Sequence, residues 1–495
     1  MIDGGVFLGR DPTVEIGLET AELLDRLRRC GASAALALSF RGIYFNWQEG
    51  NAETLAAARK HPGVLLPMAT VNLLAFDAGA DLMARFKAEG FKAVALFAHP
   101  QFWSYGDYVF KTAARQAAAA GLPLQVGLKT REDLAQVAAA ADDATVMVRW
   151  MRGSGYNTVP DVIAVARDCP NFAFDVSTVS QSGGIERLVE RVGADRLYLA
   201  SNTPLTFERV PYFMLRAASL SASDRQAIES GTLARLLGVP RLPPAPAPED
   251  WEHLKSRPKI DTHWHTSGWN IIEPKIDFDQ LSQEFDAYNY RLAVNSSIRA
   301  LNDDLVAGNA ETLAFMQKDK RVRGLIVINP HQPELSIAEI EKYRTMPGFV
   351  GVKTIQDFYG LELHDPAYGR ILDHVRGLSG FSVMAHLPGL RQAAEKYPDL
   401  RFVAAHSTWN YKPLTALKNV WFDIATSTPL RNESDIAGLI AAAGPERVIF
   451  SSDGQLMNPA WTLGKLASLA LADDTLTRIF EKNAFDAFPR LAAST

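Results

Sequence analysis

The sequence predicts an α/β protein built as two tandem (β/α)8 TIM-type barrels, and three observations carry that prediction. Gly50-Asn51-Ala52-Glu53-Thr54-Leu55-Ala56 recurs letter for letter as Gly308-Asn309-Ala310-Glu311-Thr312-Leu313-Ala314, an offset of 258 residues that also carries Asp3 onto Asp261. Each half alternates apolar, β-branched-rich runs with segments of helical spacing, the pattern of a parallel sheet covered on its outside. Between the halves, residues 239–248 hold five prolines in ten positions. Such a stretch can neither continue a helix nor pair in a sheet, so it reads as an extended spacer.

In the first half the expected strands are 1–8, 32–39, 64–72, 91–97, 122–128, 144–150, 172–177 and 196–201. In the second half they are 259–265, 290–296, 322–329, 349–355, 381–386, 400–406, 420–425 and 447–453. Segments such as 303–318 carry helical spacing between them. Eight repeats favour a closed barrel over an open sheet, and about 240 residues is the usual size of one. The expected domains are therefore a barrel over 1–238, a Pro-rich linker over 239–257 and a second barrel over 258–495.

Composition narrows the function classes. Of 495 residues, 47% are hydrophobic and 22% charged, ordinary for a globular protein, and the net charge of −5 argues against a nucleic-acid partner. No apolar run approaches the roughly 20 residues that span a bilayer, so no membrane partner is expected. The opening Met1-Ile2-Asp3-Gly4-Gly5-Val6 lacks a basic segment followed by an apolar one, so no signal peptide is read and a cytoplasmic location is expected. Cys30 and Cys169 alone cannot make a disulfide framework or a thiolate metal site.

The chemistry is concentrated in Asp261-Thr262-His263-Trp264-His265. A strand has a side-chain period of two, so Asp261, His263 and His265 are expected on one face, where two imidazoles form half of a metal site. Three later apolar strands each end on a ligand-type residue: His386, His406 and Asp453. In a parallel barrel the active site lies at the carboxyl ends of the strands, so these groups can converge over the mouth of the second barrel. Nitrogen and oxygen donors without thiolate suit zinc or manganese. Trp264, Trp269 and Trp409 are candidate walls for a flat substrate. His331, after Asn329-Pro330, is a further candidate at the mouth, and His364 and His374 read as structural.

Asp-x-His-x-His, then Lys353 on the fourth strand, His386 on the fifth, His406 on the sixth and Ser451-Ser452-Asp453 on the eighth, followed by Ile479-Phe480-Glu481-Lys482-Asn483-Ala484, together resemble the amidohydrolase superfamily. More narrowly the set is similar to the branch that includes aminocarboxymuconate-semialdehyde decarboxylase and resorcylate-type decarboxylases. The resemblance covers 258–495 strongly and 1–238 as a decayed copy. It implies one divalent metal, usually zinc with manganese as the alternative and no organic cofactor, held by His263, His265, His386 and Asp453. It also implies that His406 polarises the water or substrate; on chemical grounds Asp453 is expected to accept the proton from that water and pass it to the leaving group. A metal in such a site brings the pKa of bound water to roughly 7. In some members of the superfamily a carboxylated lysine at the position of Lys353 bridges two metals. In this branch a lysine there is usually not a ligand, and Lys353 is expected to pair with a nearby or substrate carboxylate.

In the first half every ligand position is lost. Asp3-Gly4-Gly5-Val6-Phe7 stands where Asp261-Thr262-His263-Trp264-His265 stands, and the expected alignment puts Ala95, Gly127, Arg149 and Asn202 opposite Lys353, His386, His406 and Asp453. This barrel is expected to bind no catalytic metal. Relatives of the branch commonly work as homodimers, some with an arginine from the neighbouring subunit at the substrate. The fused copy is thus expected to act as an intrachain pseudo-dimer partner, with Arg41 and Arg152 as candidate reaching arginines, and a higher oligomer is compatible with this. A non-metal ligand at its mouth, with Arg149 pairing an anion, is the alternative. The leading functional expectation is a metal-dependent hydrolase of a small-molecule C–N or C–O bond, in a lactone, ester or amide. The alternative is non-oxidative decarboxylation of a small aromatic or unsaturated carboxylic acid. A non-catalytic binding or scaffold protein is the third reading.

Overall fold

The structure is a computed structural model, and it describes residues 1–77, 81–150, 158–270 and 277–494. Arg152 lies outside the described residues. Among the described residues no helix is long and apolar enough to cross a membrane. Contacts divide the chain into two compact units, one of Met1–Trp251 with Thr428–Asn432 and the other of Glu252–Ser427 with Glu433–Thr495.

The first sheet contains β1 (Ile2–Arg10), β2 (Gly17–Leu18), β3 (Ala34–Ser39), β4 (Leu65–Thr70), β5 (Ala93–Leu96), β6 (Leu124–Leu128), β7 (Val146–Trp150), β8 (Phe172–Asp175) and β9 (Leu197–Tyr198). Apart from the β1–β2 hairpin, each strand pairs in parallel with the next. The second sheet runs in the same way through β10 (Lys259–Thr266), β11 (Tyr290–Ser297), β12 (Val322–Val327), β13 (Phe349–Thr354), β14 (Ser382–Ala385), β15 (Arg401–Ala404), β16 (Val420–Asp423) and β17 (Val448–Ile449). Both close on themselves. The Gly4 amide donates to the Leu199 carbonyl at 2.7 Å and that of Phe7 to Thr203 at 2.8 Å; in the second barrel Thr262 donates to Phe450 at 3.1 Å and His265 to Gly454 at 2.7 Å. The protein is two tandem (β/α)8 barrels, as expected.

The repeated heptapeptide has a physical reason. It lies in helices Trp47–Lys60 and Leu305–Lys318, where a Cβ on Gly50 would meet the Gly42 amide nitrogen at 2.2 Å and one on Gly308 the Ala300 nitrogen at 2.1 Å. Only glycine lets the preceding short helix approach so closely. The next residue clamps the adjoining strand end: Asn51 Nδ2 donates to the Thr70 carbonyl while Oδ1 accepts from its amide, and Asn309 does the same to Val327.

Two sequence expectations change. Asp261 does not share a face with His263 and His265. Pairing runs Asp261 to Ala293 and Trp264 to Asn295, three steps on β10 against two on β11, so a bulge interrupts the alternation. Ile260 packs with Leu292 and Val294 inside the barrel, which turns Asp261 outward and still returns His263 to the interior. The same bulge separates Asp3 from Val6. The later strands are also shorter than expected. His406 and Asp453 lie beyond the ends of β15 and β17 with φ of 55° and 58°, so the chain leaves the sheet before it delivers them.

Each aspartate at the bulge ties the first strand to the last. Asp3 accepts from the Gly5 and Ser201 amides, both at 2.9 Å, and from the Tyr212 hydroxyl at 2.6 Å. Asp261 accepts from the His263 and Ser452 amides, both at 3.1 Å, from Ser452 Oγ at 2.5 Å and from the Tyr290 hydroxyl at 2.8 Å. Burial raises the Asp261 carboxyl to about 7. The Pro-rich stretch has no regular secondary structure over 239–248, but it is not free of the first barrel. The Leu242 carbonyl accepts from Gln226 and Ser230, and the Ala245 amide donates to Glu229.

Candidate metal centre

His263 and His265 project from β10 into the mouth of the second barrel, both fully buried. His263 Nδ1 lies 2.5 Å from Asp423 Oδ2, and His265 Nδ1 lies 3.0 Å from the Ser296 carbonyl. Those partners accept, so each Nδ1 carries the proton and each Nε2 presents a lone pair. The two Nε2 atoms stand 3.0 Å apart, and Asp453 Oδ1 lies 3.5 Å from the first and 3.3 Å from the second. Three acceptors thus converge in a buried site, an arrangement that repels itself until a cation lies among them. The donor set fits a divalent ion with nitrogen and oxygen ligands. These three residues, and separately His263, His406 and Asp423, are the groups whose donor atoms lie within 4.8 Å of one another among the described residues.

Lys353 supplies the positive charge in the protein itself. Its Nζ, on β13, is 3.0 Å from His263 Nε2. Burial lowers its pKa to about 8, while Asp423 and Asp453 pull it upward. Burial, then the charges of Lys353 and the other histidines, push the His263 imidazole well below its ordinary value, which keeps it neutral and able to donate a lone pair. Burial acts to raise the Asp453 carboxyl, but the close approach of His265, with the nearby His406 and Lys353, outweighs it, and the net shift is downward.

His386 and His406 complete the ring of imidazoles at the mouth. The His406 ring lies 4.9 Å from that of His263 and 5.0 Å from that of His386. His406 Nδ1 donates to the Ala425 carbonyl at 2.8 Å, which leaves its Nε2 as the acceptor. His386 is placed differently from the three converging donors. Its Nδ1 pairs with Asp357 at 2.8 Å, and its amide donates to Gln356 Oε1 at 2.9 Å. Burial lowers its pKa to about 4 against the opposing pull of Asp357.

The aromatic candidates separate. Trp264 is buried outside the sheet against Phe285 and Tyr290, at 4.9 and 5.7 Å between ring centroids, so it packs and lines no pocket. Trp269 lies 5.6 Å from Phe358 in the loops above β10 and β13, and Trp409, on the segment after His406, is exposed. His331 Nε2 donates to the Tyr359 carbonyl. Asp423 is the residue that sequence reasoning passed over. It ends the apolar run Val420-Trp421-Phe422-Asp423 as His386 and Asp453 end theirs, and its Oδ1 is held by Ser451 Oγ and by the Ala425 amide at 2.7 Å.

The first barrel keeps the frame and loses the donors. The strand registers place Ala95 opposite Lys353 and Gly127 opposite His386, and they put Asn202, with φ of 58°, opposite Asp453. Arg149 is one residue from its expected place. The pairings Val148 to Phe174 and Ala404 to Phe422 set Arg149 opposite Ala405 and Trp150 opposite His406. Arg149 instead fills the space left by the first histidine. Its Nη1 donates to Gln125 Oε1 at 2.9 Å and its Nη2 to the Gly5 carbonyl at 3.2 Å, and its guanidinium lies 4.8 Å from the centroid of the Phe7 ring. A Cβ on Gly5 would come 2.4 Å from Nη1. This guanidinium is a plug, committed to its own barrel and not presented to an anion. Among the described residues the first barrel has no cluster of metal donors.

The amidohydrolase family matches residues 27–239 and again 260–490. The chain belongs to the amidohydrolase family. None of the curated proteins compared with this amidohydrolase matches it. Solved structures that it resembles include 5-carboxyvanillate decarboxylase from Novosphingobium aromaticivorans in complex with manganese, at 15% identity and TM-score 0.39 over 48% of this chain and 97% of that one. Another is 2,6-dihydroxybenzoate decarboxylase from Rhizobium, at 15% and 0.38 over 47% and 99%. A third is a probable 2-pyrone-4,6-dicarboxylic acid hydrolase from Acinetobacter baumannii, at 17% and 0.37 over 47% and 99%.

Proposed function

We propose that the second barrel is a metal-dependent, non-oxidative decarboxylase of a small aromatic or unsaturated carboxylic acid, and that the first barrel is its non-catalytic intrachain partner. His263, His265 and Asp453 would hold the ion, with His386 as a further donor and zinc or manganese as the metal. When bound, the ion supplies Lewis-acid attraction for a substrate oxygen. The observation that carries the reading is the Lys353 ammonium, buried beside the donor set at 3.0 Å from His263. A fixed positive charge in that position suits a substrate carboxylate. Trp269 and Phe358, which follow β10 and β13 with their rings 5.6 Å apart and tilted, offer apolar faces for an unsaturated ring. His406, with Nδ1 tied to Ala425, takes up a solvent proton at Nε2 and passes it on: the carbon–carboxylate bond breaks, carbon dioxide leaves, and the electron pair left on carbon takes that proton, which returns the imidazole to its neutral form.

Hydrolysis of a lactone, ester or amide, the leading expectation from the sequence, becomes the second reading. The same His406 geometry favours it, because Nε2 can equally accept a proton from water. A panel of hydroxybenzoates, unsaturated acids and lactones, run in oxygen-18 water and separately in deuterium oxide, tests the proposal. Carbon dioxide release with one deuterium in the product supports decarboxylation. Oxygen-18 in the product without carbon dioxide overturns it in favour of hydrolysis.

A further inference from the structure

The mouth of the first barrel, which has lost its metal donors, has gained exposed apolar side chains. Phe45, Leu74, Phe102 and Tyr108 are 77%, 64%, 89% and 73% exposed. All four follow consecutive strands, β3, β4 and β5, on the same end of the barrel. Their loops are in contact. Gln101 Nε2 donates to the Ile43 carbonyl at 3.3 Å, and the turn Leu73–Ala75 packs on the helix Tyr108–Ala120.

The second barrel provides the comparison. Phe45 and Asp303 cap equivalent helices with nearly the same backbone angles, −128° and −72° against −136° and −77°. Asn72 and Asn329 each accept from the amide two residues on, which sets Leu74 opposite His331. Phe102 ends the turn His99–Gln101 with φ of 60°, where Gly360 ends its own with φ of 65°. A phenylalanine in the left-handed region costs on the order of 1 kcal/mol or more. Keeping it there, with its ring in solvent, has no packing return inside this barrel. Three positions that are polar or glycine in the copy with the donor cluster are therefore large and apolar in the other.

We infer that this rim is an interface through which two copies of the chain associate about a two-fold axis. Two features favour a second copy as the occupant. The first is area: the exposed parts of the four side chains amount to roughly 600 Å² per copy, hence roughly 1,200 Å² in a symmetric contact, enough for a specific interface. The second is charge. Arg41 is paired with both Glu49 and Glu53, at 2.8 and 2.7 Å, and Arg10 is paired with Glu15. A patch whose charges are already matched within itself can meet its own image without like charges facing across the axis.

Sedimentation of the full chain over a wide concentration range tests this, comparing wild type with Phe45→Asp and Phe102→Gly. The wild type is expected to be dimeric, and each variant to weaken the dimer about tenfold or more. Phe102→Gly also relaxes the left-handed strain, so its melting temperature holds or rises and loss of the dimer is not loss of the fold. A wild type that stays monomeric throughout overturns the proposal. So do variants that dimerise as well as wild type, or an association that only an added, different protein produces.

Discussion

Asp423 Oδ2 stands 2.5 Å from Nδ1 of His263, and this contact decides which nitrogen of the ring faces the donor cluster. Ser451 and the Ala425 amide hold the other carboxylate oxygen, so the imidazole is oriented through two layers of hydrogen bonds. Replacing Asp423 by Asn keeps the shape but allows the amide group to donate and favour the other tautomer. Divalent-metal affinity, measured by calorimetric titration, is expected to fall about 10- to 100-fold in Asp423→Asn. Unchanged affinity would show that the contact does not orient the ligand.

Among the described residues, two imidazoles and one carboxylate converge in the second barrel and not in the first. His263→Ala/His265→Ala is therefore expected to reduce metal content from one ion per chain to the background, measured by elemental analysis after purification without chelator. Gly5→His in the first barrel is expected to add none, because the Arg149 guanidinium fills that space. A second equivalent of metal in that variant would contradict the plug.

Gly308 sits where a Cβ would come 2.1 Å from the Ala300 nitrogen. Backbone cannot yield as a side-chain tip can, so Gly308→Ala is expected to destabilise the second barrel by about 1–3 kcal/mol or more. Urea denaturation reads this as a lower midpoint. A midpoint equal to that of wild type would mean that the two helices move apart at no cost.

Asp175 occupies in the first barrel the place of Asp423. Burial raises its carboxyl to about 7, opposed by hydrogen bonds from Ser177 and the Ala200 amide and by the Arg149 charge. The folded state then binds more protons than the unfolded one between about pH 4 and pH 7, so this group's contribution falls as pH rises through that window. Asp175→Asn removes the term while it can keep the hydrogen bonds. Its stability relative to wild type is expected to grow by up to about 4 kcal/mol from pH 4 to pH 8. A difference that stays constant with pH would refute the linkage.

Much of this was legible in the residues, and the exceptions share a cause. Apolar runs that end on His386, His406 and Asp453 mark strands delivering polar groups to one edge, because a buried parallel strand leaves few other places for them. The recurring heptapeptide is legible because Gly308 and Asn309 are constrained by sterics and by hydrogen bonding at once. The outward turn of Asp261 was hidden, since a bulge is a property of how β10 pairs with β11 and not of β10 itself. Asp423 was hidden because its partner, His263, is 160 residues away. The one-residue displacement of Arg149 against His406 has the same origin, for only the pairing register of neighbouring strands aligns the two copies.

The latch formed by Asp3 in one barrel and Asp261 in the other closes the cylinder from the side facing away from the mouth chemistry. Holding a shape and holding an ion are thus assigned to different atoms of the same strand. A duplicated copy can discard the second task without loosening the first, and here the vacated space went to a guanidinium and a phenyl ring.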